Sequence, residues 1–176
     1  ALEHRVFETI AQESIYDDVV SAVAEKLSSL KMGDPTDEDT QLGAIVSEEQ
    51  FKKIMGYIDI GNSEGAELAC GGQVPEGEQF EDGWFIEPTL FANATNDMKV
   101  AREEIFGPVL VAIPFEDEQE AVEIANDTPY GLGSGVFTTS ADRAQRMAQA
   151  LKSGTVYVNT YNQVFPQAPF PGWKQS

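Results

Sequence analysis

Histidine and cysteine are almost missing from this chain, with His4 and Cys70 the sole examples of each. One cysteine excludes an internal disulfide and a cysteine-cluster metal centre, and no metal site is expected. Basic residues are scarce as well, 11 against 30 acidic, which leaves a net charge of −19. Such a surface repels phosphate backbones and excludes a nucleic-acid partner. No apolar run approaches the roughly 18 residues that span a bilayer, and no basic start leads into an apolar signal segment. The expectation is a cytoplasmic protein with no membrane partner. The polar stretch 32–43 (MGDPTDEDTQLG) also lacks a glycine-rich phosphate loop and its lysine.

What is present suits one soluble domain over residues 1–176: the length carries a sizeable core, and 41% of the residues are hydrophobic. The surplus of acid exceeds what solubility requires of a small domain. Two explanations compete. A carboxylate-coated surface with few lysines befits a protein working in concentrated salt, where screening shortens charge repulsion to about 3 Å at 1 M. Alternatively, an acidic face meets a basic partner, or no partner at all. The acids are spread along the chain rather than gathered in a tail, which favours halophilic origin.

Hydrophobic periodicity gives alternating strands and helices. Arg5 to Glu8 reads as a short strand. Ser14 to Leu30 reads as a helix capped by Ser14, with Ile15, Val19, Val23, Leu27 and Leu30 on one stripe. A second helix starts at Ser47 and carries Phe51, Ile54, Met55 and Ile58 inward, ending near Gly61 to Gly65. A strand over Ala66 to Cys70 is stopped by Gly71 and Gly72. Trp84 to Phe91 reads as an exposed or edge strand, because Pro88 would interrupt a central ladder. Val109 to Phe115 (VLVAIPF) is an apolar strand, followed by helices at Asp117 to Asn126 and Ser140 to Lys152, the latter closed by Gly154. Leu132 to Thr138 and Thr155 to Asn159 complete the strands. This alternation predicts an α/β fold, a mainly parallel sheet flanked by helices.

Few of these segments carry visible chemistry. Cys70 has no neighbouring histidine and nothing local to lower its pKa, so it reads as a buried structural thiol rather than a nucleophile. Gly131, Gly133 and Gly135 stand at the entrance to a strand, the wrong context for a dinucleotide fingerprint, and small residues there permit close backbone packing. The stretch Glu103-Glu104-Ile105-Phe106-Gly107-Pro108-Val109-Leu110 differs. It puts two carboxylates and an aromatic just before a Gly-Pro break that ends the helical tendency of AREEI, with Gly107 free to take unusual dihedrals. From the residues alone, this is either a binding loop at the edge of a buried sheet or a solvated turn.

EEIFGPV at 103–109, NDTPYGLGSGVFT at 126–138 and PFPGWKQS at 169–176 resemble, in order, three signatures of the aldehyde dehydrogenase catalytic domain. The resemblance covers nearly the whole chain. It implies an NAD(P)-dependent enzyme in which a cysteine thiolate attacks an aldehyde, hydride passes to the nicotinamide, and a glutamate-activated water hydrolyses the thioester. Glu104 matches the glutamate that bonds the nicotinamide ribose hydroxyls, and Phe106 the aromatic that packs beside that ribose. Asn159 to Asn162 and the following loop match the aldehyde tunnel, with Val164 and Phe170 nearest the substrate. The family usually reads Pro-Phe-Gly-Gly where this chain has Pro169-Phe170-Pro171-Gly172, so Pro171 puts the loop's shape and substrate preference in doubt.

In the family the nucleophile stands five residues before an arginine that enters a strand. Matching that arginine to Arg5 puts the cysteine immediately before Ala1. The resemblance therefore implies that the catalytic residues and the nucleotide-binding domain lie in the remainder of a parent enzyme, itself a homo-oligomer. No turnover is expected from these 176 residues alone. Two other classes stay open: a free-standing, non-catalytic α/β binding or assembly module, and a thiol enzyme using Cys70. For the acidic surface, the expected outcome is loss of helical circular dichroism as salt falls from molar to dilute, through unscreened carboxylate repulsion. A fold indifferent to salt would count against halophilic origin.

Overall fold

The segment VLVAIPF forms a strand of seven residues, Val109–Phe115, and sits inside its sheet rather than at its edge. In the computed structural model, which describes residues 7–163 and 166–176, the chain forms two compact units that divide after Phe115. The first contains β1 (Phe7–Gln12), α1 (Tyr16–Ser28), α2 (Glu48–Glu64), β2 (Glu67–Cys70), β3 (Thr89–Ala92), α3 (Lys99–Arg102) and β4 (Val109–Phe115). Its sheet has the order β1-β4-β3-β2, parallel except at the β2/β3 pair. The fold is thus α/β with a mostly parallel sheet and flanking helices.

Alternation along the strands explains why both sheet faces need cover. Leu90 and Ala112 join Ala11 and Tyr16 in a cluster against which Val19, Val20, Val23 and Leu27 of α1 pack. The next residue of β3, Phe91, points the other way and lays its ring on Gly61 of α2. Leu90, Phe91, Val109 and Val111 are each no more than 1% exposed, and burying such a side chain is worth about 1.5–3 kcal/mol.

Several local expectations change. The strand expected at Arg5 to Glu8 is Phe7–Gln12 among the described residues; Arg5 lies outside them. A 3-10 turn, Glu13–Ile15, precedes α1, so Ser14 caps nothing and Ile15 is exposed. Tyr16 takes the buried position instead, because its hydroxyl finds partners inside. The expected edge strand at Trp84 to Phe91 is the interior strand Thr89–Ala92, buried along its whole length. Pro88 stands just before the ladder and so removes no hydrogen bond from it. Ser47 does cap α2, accepting from the Gln50 N–H at 3.2 Å, and Gly65 closes that helix with φ 90°.

The second unit contains α4 (Glu118–Asn126), β5 (Gly133–Val136), α5 (Ala141–Ala150) and β6 (Thr155–Val158), with β5 and β6 parallel. Asp117 and Ser140 cap the two helices through their side chains. Asn126 ties the helix ends together, donating to Ala150 O at 2.9 Å and accepting from Lys152 N at 2.8 Å. Gly154 does not close α5, whose C-cap is Leu151. Its missing side chain is needed elsewhere: an added Cβ would lie 1.8 Å from the carbonyl oxygen of Pro171. No helix among the described residues is long and apolar enough to cross a membrane.

The Tyr16 hydroxyl links α1 to the sheet, donating to Ala112 O at 3.0 Å and accepting from the Asn93 N–H at 2.6 Å. Tyr16→Phe removes the acceptor of Asn93 and one of the donors to Ala112, and is expected to cost about 1–2 kcal/mol in urea unfolding. Burial holds the Tyr16 phenol above its ordinary value. A raised folded-state pKa gives stability that is complete below about pH 10 and fades as pH rises through the folded value. The wild-type chain should lose stability across that alkaline window, and Tyr16→Phe should blunt the loss.

Candidate functional site

Helix α3 is only four residues long, and at its C-cap Glu103 turns extended with φ −103° and ψ 144°. Ile105, 1% exposed, then anchors the chain in the core. Phe106 follows with φ 59°, while half of its surface stays in solvent. A left-handed backbone costs a side-chain-bearing residue roughly 1–2 kcal/mol, and the half-exposed ring recovers only part of this through burial. Although Gly107 is free to take unusual dihedrals, the left-handed residue of the loop is Phe106. Gly107 is required for room, because a Cβ there would lie 2.6 Å from Cδ1 of the fully buried Ile54.

One stripe of α2 holds this loop in place. The Gln50 side-chain amide donates to Ile105 O at 2.8 Å and Phe106 O at 3.0 Å. Lys53 Nζ donates to Glu104 O at 3.2 Å. The Tyr57 hydroxyl donates to the Glu103 carboxylate, and Ile54 packs under Gly107. Positions 50, 53, 54 and 57 follow helical spacing, so one rigid face reaches all five residues of the loop. Sequence reasoning found the apolar stripe of α2 and missed this polar one. The i, i+3, i+7 spacing of Gln50, Lys53 and Tyr57 was the available signal.

Glu104 is half-buried, and among the described residues no group donates to or pairs with its carboxylate. Two free oxygens on a held backbone can accept two hydroxyl donors in charge-assisted bonds. Glu104 and Phe106 thus lie together on one loop of the first unit, as a polar acceptor beside an apolar ring.

Phe170 belongs to the second unit, 45% exposed, and Val164 lies outside the described residues. The segment after Phe170 is strapped to the residues that follow α4. Trp173 N donates to Gly131 O at 3.1 Å, Gln175 N to Pro129 O at 3.1 Å, and Gly131 N to the Ser176 hydroxyl at 3.0 Å. Lys174 Nζ adds bonds to the carbonyls of Asn126 and Thr128, each at 3.0 Å. Gly131 permits this approach, since a Cβ there would lie 3.1 Å from both the Cβ and the carbonyl oxygen of Trp173. The motifs at 126–138 and 169–176 are therefore one structure. The left-handed residue of the strap is Lys174, φ 56°, so Pro171 is not forced into a conformation its ring forbids.

Cys70 is half-buried rather than fully buried, with Sγ 3.8 Å from Pro88 O. Burial pushes its thiol pKa up, which works against thiolate formation. No cluster among the described residues could hold a metal ion.

These features coincide with known proteins. The aldehyde dehydrogenase family matches residues 6–176, and this chain belongs to that family. It is similar to the betaine aldehyde dehydrogenase of Mesorhizobium japonicum, 45% identical over 98% of this chain and 35% of that protein. The betaine aldehyde dehydrogenase of Brucella anthropi matches to the same extent, 45% over 98% and 35%. Among solved structures, betaine aldehyde dehydrogenase from Staphylococcus aureus in complex with NAD+ superimposes with a TM-score of 0.93 at 41% identity, covering 96% of this chain and 33% of that one. HpcC from Thermus thermophilus gives a TM-score of 0.92 at 42% identity, covering 95% and 33%. The chain thus spans about a third of the length of the curated relatives it matches.

Gly107→Ala tests the loop's seating. The added methyl must displace Ile54 or the loop, and the expected loss is about 1–3 kcal/mol, read as a lower urea midpoint. A neutral substitution would mean that Ile54 yields without cost.

Proposed function

We propose that this chain is most of the catalytic domain of an NAD(P)-dependent aldehyde dehydrogenase, working with the remainder of its parent enzyme on a small aldehyde. The observation that carries the reading is a half-exposed, left-handed Phe106 beside a Glu104 carboxylate that no described residue engages. Strain in a bulky residue with little compensating burial is characteristic of positions held for a ligand. Glu104 then accepts hydrogen bonds from the nicotinamide ribose hydroxyls, and Phe106 packs against the same ribose and limits how far the ring can swing. Held by Glu104 and Phe106, NAD or NADP would supply the hydride acceptor. The thiol nucleophile belongs to the remainder of the parent enzyme, a homo-oligomer, and this chain alone is expected to form no NADH.

For the substrate, the relatives named betaine aldehyde dehydrogenase support an aldehyde bearing a trimethylammonium group. Two properties of this chain agree with a cationic substrate. Its net charge of −19 raises the local concentration of cations, and Phe170 offers a solvent-facing aromatic ring, a surface that attracts quaternary ammonium. Val164, beside the same loop in sequence, is the second substrate contact in this reading. The acid surplus further supports a source rich in salt.

The test uses the full-length enzyme with NAD and two aldehydes, betaine aldehyde and its uncharged isostere 3,3-dimethylbutanal. The expected outcome is NADH formation with kcat/KM higher for the charged substrate. Glu104→Gln should raise the KM for NAD by about tenfold through loss of the charge-assisted bonds, and leave the aldehyde KM unchanged. An unaltered KM for NAD would remove Glu104 from the cofactor site.

A further inference from the structure

Glu103 and Glu104 are adjacent carboxylates with very different surroundings. Glu103 accepts from the Tyr57 hydroxyl and lies 3.7 Å from Lys99 Nζ. The Tyr57 ring has Lys99 Nζ 5.7 Å and Lys53 Nζ 5.8 Å from its centroid, both within cation–π reach. Lys53 in turn holds the carbonyl of Glu104. Half-buried Tyr57 therefore sits at the centre of a knot that ties α2, α3 and the loop together. Because Glu103 is extended, its side chain and that of Glu104 leave opposite sides of the backbone.

We infer that Tyr57 is a positioning residue for the cofactor site: by drawing Glu103 onto α2, it decides which of the two neighbouring carboxylates is presented to the nicotinamide ribose. Without the hydroxyl, the Glu103 side chain keeps only its exposed ion pair with Lys99, a contact worth little by itself, while its N–H stays on Lys99 O. The Glu103 side chain can then leave α2, and the backbone at Glu104 is steadied only through its carbonyl on Lys53, so the carboxylate is aimed less firmly. Gln50 still holds the two carbonyls beyond, so the change is one of aim rather than of folding.

This inference rests on the reading of Glu104 as the ribose-binding carboxylate, and the experiment separates the two. In the full-length enzyme, KM for NAD, KM for the aldehyde and kcat are measured for Tyr57→Phe, Glu104→Gln and the double variant. Tyr57→Phe is expected to raise the KM for NAD about three- to tenfold, with kcat within about twofold and the aldehyde KM unchanged. The double variant should be no worse than Glu104→Gln, because Tyr57 acts through Glu104. Glu103→Ala, which cuts the same bond from its other end, should reproduce Tyr57→Phe.

An unchanged KM for NAD in Tyr57→Phe or in Glu103→Ala, alongside an impaired Glu104→Gln, overturns the positioning role alone. Additive losses in the double variant also overturn it, since Tyr57 would then act independently. A Glu104→Gln enzyme with normal KM for NAD overturns the cofactor reading and this inference with it.

Discussion

β4 has no wet side. Flanked in the sheet by β1 and β3, it must be covered on both faces, and that demand places α1 against Leu90 and Ala112 and α2 against Phe91. The loop that enters β4 is therefore delivered to α2 by the same burial that stabilises the sheet. Gly107 rests on Ile54, a residue with no exposed surface, so the position of the loop is set by core packing rather than by surface contacts. The core and the candidate site are two consequences of one constraint.

The loop uses this rigidity to sustain a conformation it would not adopt alone. A left-handed phenylalanine with half of its surface in water is unfavourable locally, and three α2 side chains offset that cost through four consecutive residues of the loop. Backbone carbonyls supply most of the contacts, and among the described residues none engages the Glu104 carboxylate, while half of the Phe106 surface stays in solvent. Preorganisation of this kind lowers the entropy lost when a ligand binds.

In the second unit the same economy appears in another form. Two parallel strands, two capped helices and a closing strap are joined through backbone carbonyls around Asn126, Pro129 and Gly131. The tie is made by Lys174, one of the chain's few cations, set against the carbonyls at and beyond the end of α4, where a positive charge is favoured. Phe170, 45% exposed, stands just before this strap.

Periodicity alone placed β4, the inward face of α2 and the starts of three helices near Ser47, Asp117 and Ser140, because alternation and helical repeat are properties of neighbouring residues, whereas the cap it named, Ser14, is displaced by a 3-10 turn. The motif EEIFGPV likewise pointed to Glu104 and Phe106. The strand order was beyond local reading: Pro88 argued for an edge, yet β3 lies inside the sheet because the ladder begins one residue later. The left-handed residue was not legible either: glycine next to proline draws attention to Gly107, while the space under Ile54 requires that glycine for a different reason. The polar stripe of Gln50, Lys53 and Tyr57 lies about fifty residues from the loop it holds, and the strap at 173–176 lies more than forty from the turn it closes. Sequence by itself determined the elements, the acidic surface and the family signatures, all of which depend on short-range chemistry. Only tertiary structure decided that Glu103 is held by Tyr57 while Glu104 has no partner among the described residues, because that choice is made by side chains that meet only when β4 is buried.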